Sequence, residues 1–325
     1  MVIRPHFQRL VDRARNLPAL PAAVVYPCDR DSLQNALSAR FAGYLAPTLV
    51  GPEKRIADAA AQAGLDLSRI DLIDTPDDPS AAAQRAVSMA KKGETMALIK
   101  GSLYPDDLLR AVAAPESGLR GERRLTHAFF VDVPGYPRAF VLSDAVLNIV
   151  PNLAAKRDIV QNAIDFDQAL GVAQPRVAIL SAVEGVTPAL PATGDAAALV
   201  KMAAQGLITG GVVEGPVTAD SALSPTAARA GGAQTGGNAD VLIVPGMEAG
   251  ALLLRAIVGM FGALVAGVAL GAKVPIVLSG RGESMEVRMA SCVLASLVAQ
   301  ATPSTGQAAP AKADAAPARV VTVAA

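Results

Sequence analysis

Trp is absent from this 325-residue sequence, aromatic residues make up only 3% of it, and there are just two Cys and two His. Few aromatics argue against nucleic-acid recognition by stacked bases. Cys28 and Cys292 are too few for a disulfide framework or a zinc site, which favours a reducing compartment, so we expect a cytoplasmic protein. Lys plus Arg equals Asp plus Glu at 29 each, so no overall positive field would hold a polyanion. We expect no nucleic-acid partner. Any anionic ligand would have to be bound by a few individually positioned side chains.

One stretch without charged residues, 256–272, raises the question of a membrane span. It lies at the short edge of the roughly 20 residues that a span needs. Its glycines and the strand-like run after Lys273 favour instead a buried helix that leads into a buried strand. We therefore expect no membrane segment.

Hydrophobic residues make up 52% of the chain, enough for the cores of two ordinary domains. Over the first hundred residues, short apolar runs alternate with helical segments. The predicted strands are 22–26, 47–50, 69–73 and 96–99, and the predicted helices are 31–41, 52–63 and 79–92, the first of them capped by Asp31. This alternation is typical of right-handed βαβ units and predicts an α/β fold with a parallel sheet.

Beyond residue 100 the pattern changes twice. Apolar runs at 127–133 and 139–142 flank a Pro-Gly-Tyr-Pro turn and predict two antiparallel strands. The strand and helix alternation then resumes, which makes residue 150 the candidate domain boundary. In this part we expect helices at 154–170, 196–205 and 248–265, and strands at 176–180, 212–215 and 240–244. From residue 302 the chain is a low-complexity Ala/Pro tail that we expect to be disordered.

The stretch 271–288 carries the clearest signal of a site. Its apolar run 274–278 ends in small and charged residues, as a buried parallel strand does where it opens onto a loop at its carboxyl end. Ligands of open α/β sheets bind at that edge, so Arg281 and Glu283 are candidate functional residues. Arg110 stands about one turn inside another helix that follows a strand, where it could reach a phosphate. An exposed helical Arg without a ligand is the open alternative there.

Other common catalytic patterns do not fit the sequence. His6 and His127 are the only histidines and no G-x-S-x-G elbow accompanies them, which argues against a serine hydrolase. The Gly-rich segments 209–211 and 230–237 match neither a P-loop nor a dinucleotide-binding fingerprint. The remaining acidic residues show no spacing that demands a metal, so we expect no metal site.

Several collinear segments together resemble the phosphate acetyltransferase and phosphate butyryltransferase family. The most similar variant is the one that elsewhere occurs fused to an enoyl-CoA hydratase domain, here without that domain. The likeness spans roughly residues 93–299 and is densest in Asp-Ala-Val-Leu-Asn-Ile-Val-Pro-Asn, which begins at Asp144. The further matching segments are 175–184, 210–216, 239–245, 248–250 and 271–288.

This resemblance implies a fold and an activity. The fold is two α/β domains of the isocitrate/isopropylmalate dehydrogenase-like kind, with parallel or mixed sheets flanked by helices and the site in the cleft between them. We expect residues 1–150, completed by helix 284–301, to form the first domain and residues 151–283 the second. The activity is reversible transfer of an acetyl or short acyl group between coenzyme A and phosphate, by direct attack in a ternary complex. The resemblance further implies a homodimer, coenzyme A as substrate and no permanently bound cofactor.

The resemblance also assigns roles to residues. Arg281 would hold the leaving phosphate, because a guanidinium donates two parallel hydrogen bonds. Glu283 is the candidate base, and Arg281 beside it would favour its ionised form. Ser279 is a candidate for a missing hydroxyl, although successive strand residues point to opposite faces. The implied phosphate and coenzyme A residues are Arg110, Ser221, Glu248 and Arg255.

Six positions depart from the motifs of the family. Where its members usually carry Ser, Ala, Asp, Asn, Asn and Lys, this chain has Gly280, Gly282, Glu283, Ser221, Ala251 and Arg255. A single hydroxyl or amide donor lost from such a site is worth about 3 kcal/mol of catalysis. Two classes therefore stay open: an active acyltransferase, or a degraded paralogue that binds coenzyme A or a protein. A dehydrogenase of related fold is a third, for which the sequence offers no carboxylate cluster.

Overall fold

A computed structural model describes residues 4–231, 236–280 and 282–301. The helices in chain order are α1 (Pro5–Arg15), α2 (Arg30–Phe41), α3 (Glu53–Ala63), α4 (Pro79–Lys91), α5 (Pro105–Ala113), α6 (Leu153–Ala169), α7 (Pro191–Ala204), α8 (Ala219–Leu223), α9 (Pro225–Gly231), α10 (Met247–Phe261) and α11 (Met285–Ala301). The strands are β1 (Leu20–Val25), β2 (Leu45–Gly51), β3 (Asp71–Asp74), β4 (Ala97–Lys100), β5 (Thr126–Asp132), β6 (Phe140–Ser143), β7 (Arg176–Leu180), β8 (Val212–Val217), β9 (Val241–Ile243), β10 (Leu264–Leu270) and β11 (Ile276–Val277). The predicted α/β fold with mixed sheets and flanking helices is confirmed.

The described residues form two compact units. The first unit contains residues 7–125 and 266–301, and the second contains residues 4–6 and 126–265. The domain limits expected from the sequence, at 150 and 283, do not coincide with these. Strands β5 and β6 belong to the second unit because β6 pairs with β9, whereas residues 276–277 pair with β4 in the first unit. The expected tail, 302–325, lies outside the described residues.

The sheet of the first unit runs in the order β3–β2–β1–β4–β11–β10. Its pairs are parallel except β10 with β11, which confirms the predicted βαβ units. Helix α4 packs against β1, β2 and β4, and α11 packs against α2, β4 and β11. Since β2 and β4 both flank β1, the chain leaves β1 to one side and later returns on the other. Ligands of open α/β sheets bind at such a reversal of strand order.

Helix α2 is fixed at its start by Asp29. The Asp29 carboxylate accepts a hydrogen bond from the Ser32 N–H at 2.7 Å, and Asp29 has extended backbone angles, as an N-cap residue requires. The prediction of Asp31 as the cap is wrong, because Asp31 already lies in the first turn. The predicted helix 196–205 also begins too late, since α7 starts at Pro191, where a proline costs no helical hydrogen bond.

The sheet of the second unit has the order β5–β6–β9–β7–β8. Strands β5 and β6 pair antiparallel, as predicted, and β6, β9, β7 and β8 pair parallel. One face of this sheet contributes Val131, Leu142, Ala178 and Leu242 to a buried core, against which Leu254 and Ile257 of α10 pack. At its carboxyl end β8 leads into α8, and β9 leads into α10.

Residues 262–270 differ from the prediction. The sequence analysis expected a helix at 248–265 and a buried helix within 256–272. The observed helix α10 ends at Phe261, because Gly262 adopts the left-handed conformation with φ 61° and closes it. The following Leu-Val-Ala-Gly-Val-Ala-Leu forms β10 and is almost wholly buried. Among the described residues, no helix is both long and apolar enough to cross a membrane.

A buried carboxyl group lies between α6 and the start of β9. Burial, and then the nearby charge of Asp240, raise the pKa of Asp167 to about 8, with Arg138 opposing the shift. Arg138 is ion-paired with Asp240 at 2.9 Å, and Asp167 Oδ2 has no hydrogen-bond partner among the described residues. Folded Asp167 therefore keeps its proton at neutral pH, whereas the unfolded chain releases it near pH 4.

We predict that Asp167→Asn removes a pH dependence of stability. The folded pKa lies above the unfolded one, so the wild-type free energy of unfolding falls as pH rises from about 4 to about 8, by about 1.4 kcal/mol per pH unit from this group. Urea unfolding from pH 5 to 8 should show a shallower decline for Asp167→Asn. Asp165→Asn, at an exposed position of the same helix, is the control and should follow the wild type. Parallel curves for Asp167→Asn and wild type would contradict the prediction.

Candidate active site

The central feature of the candidate site is the pairing of β4 with β11 in the first unit. The parallel register places Ile276 opposite Leu98 and Val277 opposite Ile99, so the two strands end side by side. The loop 278–284 follows β11 and leads into α11. The predicted buried strand that opens onto a loop is present, but only Ile276–Val277 of the predicted 274–278 form it, and it pairs parallel with β4 and antiparallel with β10.

A serine joins the loops that follow β1 and β4. The Ser102 hydroxyl donates to the Tyr26 carbonyl at 2.7 Å and accepts from the Cys28 N–H at 2.9 Å. Next to it, a Cβ on Gly101 would lie 2.5 Å from the Val25 carbonyl oxygen, so glycine is required where the loops meet. These contacts fix the point at which the chain leaves β4 and enters α5.

Lys100 ends β4 with a buried ammonium group. Its side chain is 5% exposed, and Nζ donates to the carbonyls of Gly101 at 3.0 Å and Leu103 at 3.4 Å. Its charge also acts on Glu283, whose pKa it lowers. Sequence reasoning missed Lys100. The available signal was a Lys directly after the apolar run Ala97–Ile99, at the edge of a sheet where ligands bind.

Glu283 and Ser279 come together in the loop after β11. Burial raises the pKa of Glu283 and outweighs the lowering by Arg288, the Ser279 hydroxyl and Lys100. The expected effect of Arg281 on this carboxyl stays a prediction, because Arg281 lies outside the described residues; among those described, burial sets the net direction. The Ser279 side chain is buried, and its hydroxyl lies close enough to the Glu283 carboxyl to lower the pKa of that group. This loop thus contains a carboxyl group with raised pKa and a buried hydroxyl beside it.

Arg288 of α11 holds both ends of the same loop. Its guanidinium donates to the Gly280 carbonyl at 2.9 Å and to the Glu283 carbonyl at 3.2 Å, and it is ion-paired with Asp31 at 3.6 Å. Arg281, the first candidate from the sequence, follows Gly280 in the chain and lies outside the described residues. Sequence reasoning also missed Arg288, because its place in a helix gives no sign that it is buried.

Arg110 lies in a different part of the first unit. It is exposed on α5 and lines a groove of about 510 Å³ formed with α4 and the turn Pro115–Ser117. Lys91 borders this groove and donates to the Glu116 carbonyl at 2.9 Å. Neither Ser279 nor Glu283 lines it.

The other predicted binding residues belong to the second unit. Ser221 is buried in α8, whereas Glu248 and Arg255 are exposed on α10. The nearby Thr218 hydroxyl donates to Glu184 at 3.2 Å, at the carboxyl ends of β8 and β7. Across the described ranges, no three His, Cys, Asp or Glu side chains form a group able to hold a metal ion.

His127 has a structural environment. Burial lowers its pKa, and its ring packs against Phe129 at 4.4 Å between centroids. The nearby Asp144 carboxylate accepts from the backbone N–H groups of His127, Val146 and Leu147 and from the Asn148 amide. The Ser143 hydroxyl donates to the His127 carbonyl rather than to its ring. This arrangement lacks the nucleophile–base contact that a serine hydrolase needs.

Solved structures with a similar fold indicate the class of protein. It matches the branched-chain phosphotransacylase of Enterococcus faecalis V583 with a TM-score of 0.76 and 26% identity, over 86% of this chain and 99% of that one. It also matches 4-hydroxythreonine-4-phosphate dehydrogenase of Klebsiella pneumoniae with a TM-score of 0.55 and 16% identity, over 87% and 100% of the two chains, which is a likeness of fold alone. The predicted dehydrogenase-like fold is thereby confirmed.

Sequence comparison gives the family. The model described as phosphate acetyl/butaryl transferase matches residues 78–296. The chain is 47% identical over 295 residues to a phosphate acetyltransferase of Rhizobium meliloti, which covers 90% of this chain and 93% of that protein. It is 32% identical over 295 residues to a phosphate butyryltransferase of Clostridium acetobutylicum, over 90% and 98% of the two. The chain therefore belongs to the phosphate acetyltransferase and butyryltransferase family of enzymes, as the resemblance had indicated.

We predict that Arg288→Lys loosens the loop 280–283. A lysine cannot reach both carbonyls with a planar fork, and loss of a hydrogen bond from a charged donor to a part-buried carbonyl costs about 1.5–3 kcal/mol. The free energy of unfolding should fall by about that amount in urea, and amide hydrogen exchange of residues 280–284 should become faster. The exposed Arg69→Lys is the control and should change neither quantity. Unchanged exchange in Arg288→Lys would refute the anchoring role.

Proposed function

We propose that this chain transfers an acetyl or other short acyl group reversibly between coenzyme A and inorganic phosphate, by direct attack in a ternary complex. Its family membership supports the reaction class. The observation that carries the assignment is the loop 280–283, which Arg288 holds at the carboxyl ends of β4 and β11. The proposal includes coenzyme A as substrate, no permanently bound cofactor or metal, and action in the cytoplasm as a homodimer.

The reaction has three physical requirements. The thiol of coenzyme A must lose a proton, an oxyanion develops on the acyl carbon, and the departing phosphate gains negative charge. In this proposal Arg281 takes the phosphate, because its guanidinium can donate two parallel hydrogen bonds to it. Its neighbours Gly280 and Glu283 are tied by their carbonyls to Arg288, which supports a fixed approach of the loop to the substrate.

Glu283 takes the proton of the thiol in this proposal. Burial raises its pKa, and a base whose pKa approaches the working pH accepts a proton more readily than an ordinary carboxylate. A hydrogen bond from the Gly280 backbone and the charges of Arg288 and Lys100 oppose that rise. The Ser279 hydroxyl would donate to the developing oxyanion, a role supported by its buried position beside Glu283.

Substrate binding is assigned to four residues. Arg110 would hold a phosphate group of coenzyme A in the groove between α4 and α5, whose volume of about 510 Å³ is within the usual range for small-molecule sites. Ser221, Glu248 and Arg255 remain the predicted contacts from the second unit.

The proposal is tested with acetyl phosphate and coenzyme A as substrates. Wild type should form acetyl-coenzyme A, and Arg281→Ala should lower kcat by about 10²–10³-fold, as loss of one charge-stabilising donor does elsewhere. The exposed Arg69→Ala should retain wild-type turnover. Binding of coenzyme A by wild type without turnover would overturn the proposal in favour of a binding protein.

The role of Glu283 is tested by its pH dependence. Glu283→Gln keeps the shape of the side chain but cannot accept a proton, so kcat should fall by about 10²–10⁴-fold. The acidic limb of kcat/KM against pH, which reports the free enzyme, should also disappear. Glu286→Gln, on the exposed first turn of α11, is the control and should keep both. Unchanged turnover in Glu283→Gln would remove this residue from the role of base.

A further inference from the structure

Tyr26 directly follows β1 and has an unusual backbone conformation. Among the described residues it is the only non-glycine residue with a positive φ, at 53°. A bulky residue adopts this left-handed conformation at a cost, and such residues concentrate at functional sites. Strand β1 lies between β2 and β4, where the strand order reverses and ligands of open α/β sheets bind. The strained residue therefore lies at the sheet edge that carries the candidate site.

The side chain of Tyr26 is held by a charged pair. Its hydroxyl donates to the Asp77 carboxylate at 2.5 Å and accepts from the Arg55 guanidinium at 2.6 Å. Arg55 and Asp77 are ion-paired at 2.9 Å, and Arg55 also lies over the Tyr26 ring, 5.4 Å from its centroid. Burial and the bond to Asp77 raise the pKa of Tyr26 to about 12, so the phenol keeps its proton at neutral pH. These contacts, called here the Tyr26 anchor, join the end of β1 to α3 and to the loop between β3 and α4.

The backbone carbonyl of Tyr26 holds the loop that follows β4. It accepts from the Ser102 N–H at 2.9 Å and from the Ser102 hydroxyl at 2.7 Å. The direction of this carbonyl depends on the left-handed conformation, since a return of Tyr26 to extended backbone angles would turn it away from Ser102. The Tyr26 anchor therefore offsets the cost of a conformation on which both bonds to Ser102 depend.

The loop held in this way surrounds the buried ammonium group of Lys100. Ser102 lies between Gly101 and Leu103, whose carbonyls accept from Lys100 Nζ. A displacement of Ser102 would therefore displace two acceptors of a buried cation. The charge of this cation acts on Glu283, so the position of the loop affects the electrostatics of the proposed base.

We propose that Tyr26 is a positioning residue for the acyl transfer: its anchored side chain fixes its carbonyl, the carbonyl fixes Ser102, and the loop so fixed holds the Lys100 ammonium at the site. Tyr26 itself touches no substrate and acts only through this loop. The inference rests on the proposed function, because it gives Tyr26 a task in that same reaction.

The kinetic test uses Tyr26→Phe, which keeps the ring and removes the hydroxyl. With acetyl phosphate and coenzyme A as substrates, kcat should fall by about tenfold, because small displacements of catalytic groups are costly in rate. The KM for acetyl phosphate should stay within about twofold, since Arg281, outside the anchor, is proposed to hold the phosphate. Tyr44→Phe is the matched control and should keep wild-type kinetics. Tyr44 is also buried, but it precedes β2 at the opposite edge of the same sheet.

The pH profile separates positioning from a merely structural role. Among the described residues, Arg288 and Lys100 are the charged groups that lower the pKa of Glu283. A less confined Lys100 ammonium would move towards water and oppose the raised pKa of Glu283 less, whereas Arg288 on α11 is outside the anchor. The acidic limb of kcat/KM should therefore move to higher pH in Tyr26→Phe. Lower stability with an unmoved limb would overturn the positioning role.

The path through Ser102 is tested by a double-mutant cycle and by amide hydrogen exchange. Tyr26→Phe and Ser102→Ala loosen the same loop, so their combined loss of kcat should be less than additive. In Tyr26→Phe the amides of Gly101 and Ser102 should exchange about tenfold faster, whereas those of β6 in the second unit should keep their rates. Fully additive losses would overturn the path through Ser102, and an equal change of exchange in β6 would overturn a local action of Tyr26.

The outcomes distinguish this inference from the proposed function. Unchanged exchange at Gly101 and Ser102 would overturn the hold of Tyr26 on the loop, whatever the activity. Faster exchange with wild-type kinetics would overturn the positioning role in the reaction. A wild type without turnover would refute the proposed function. Exchange alone would then decide, since faster exchange would uphold the hold on the loop and unchanged exchange would overturn it.

Discussion

The parallel pairing of β4 with β11 is the constraint on which the candidate site depends. These strands come from distant parts of the chain, and their hydrogen-bonded register brings Lys100 to the same sheet edge as the loop that contains Glu283. Strand β4 is in turn fixed on its other side by β1. A change that shifted this register by one residue would turn the apolar side chains of a two-residue strand to the wrong face.

The site contains two buried charged side chains, whose removal from water is by itself unfavourable. Lys100 and Arg288 are both about nine-tenths buried or more, and an unpaired buried cation costs several kcal/mol. Each is compensated by carbonyl oxygens of the loops it stabilises and by the Glu283 carboxyl or Asp31. The same contacts that offset the cost of burial therefore fix the loops, so stability and positioning at this site have one physical origin.

Much of the fold could be predicted because strands and helices of parallel α/β units leave clear apolar periodicity. The run 176–180 was predicted with the bounds that β7 has. The strand within residues 262–270 was not predicted, since the glycines and alanines there suit a buried helix as well as a strand. Only the left-handed conformation of Gly262 decides between helix and strand. The burial of Lys100 and Arg288 could not be predicted, because it depends on partners remote in sequence, although the place of Lys100 directly after an apolar run was a usable signal. The position of Glu283 was predicted, but the direction of its pKa shift depended on that same burial.

The two glycines beside Arg281 can now be judged by their surroundings. A Cβ on Gly280 would lie 3.4 Å from Glu283 Oε1, an ordinary contact, and a Cβ on Gly282 would meet nothing within 4 Å. Neither residue has the positive φ that favours glycine. Crowding and backbone strain therefore do not require glycine at either position. In the proposed mechanism the hydroxyl comes from the preceding residue, Ser279, whose side chain is buried beside Glu283.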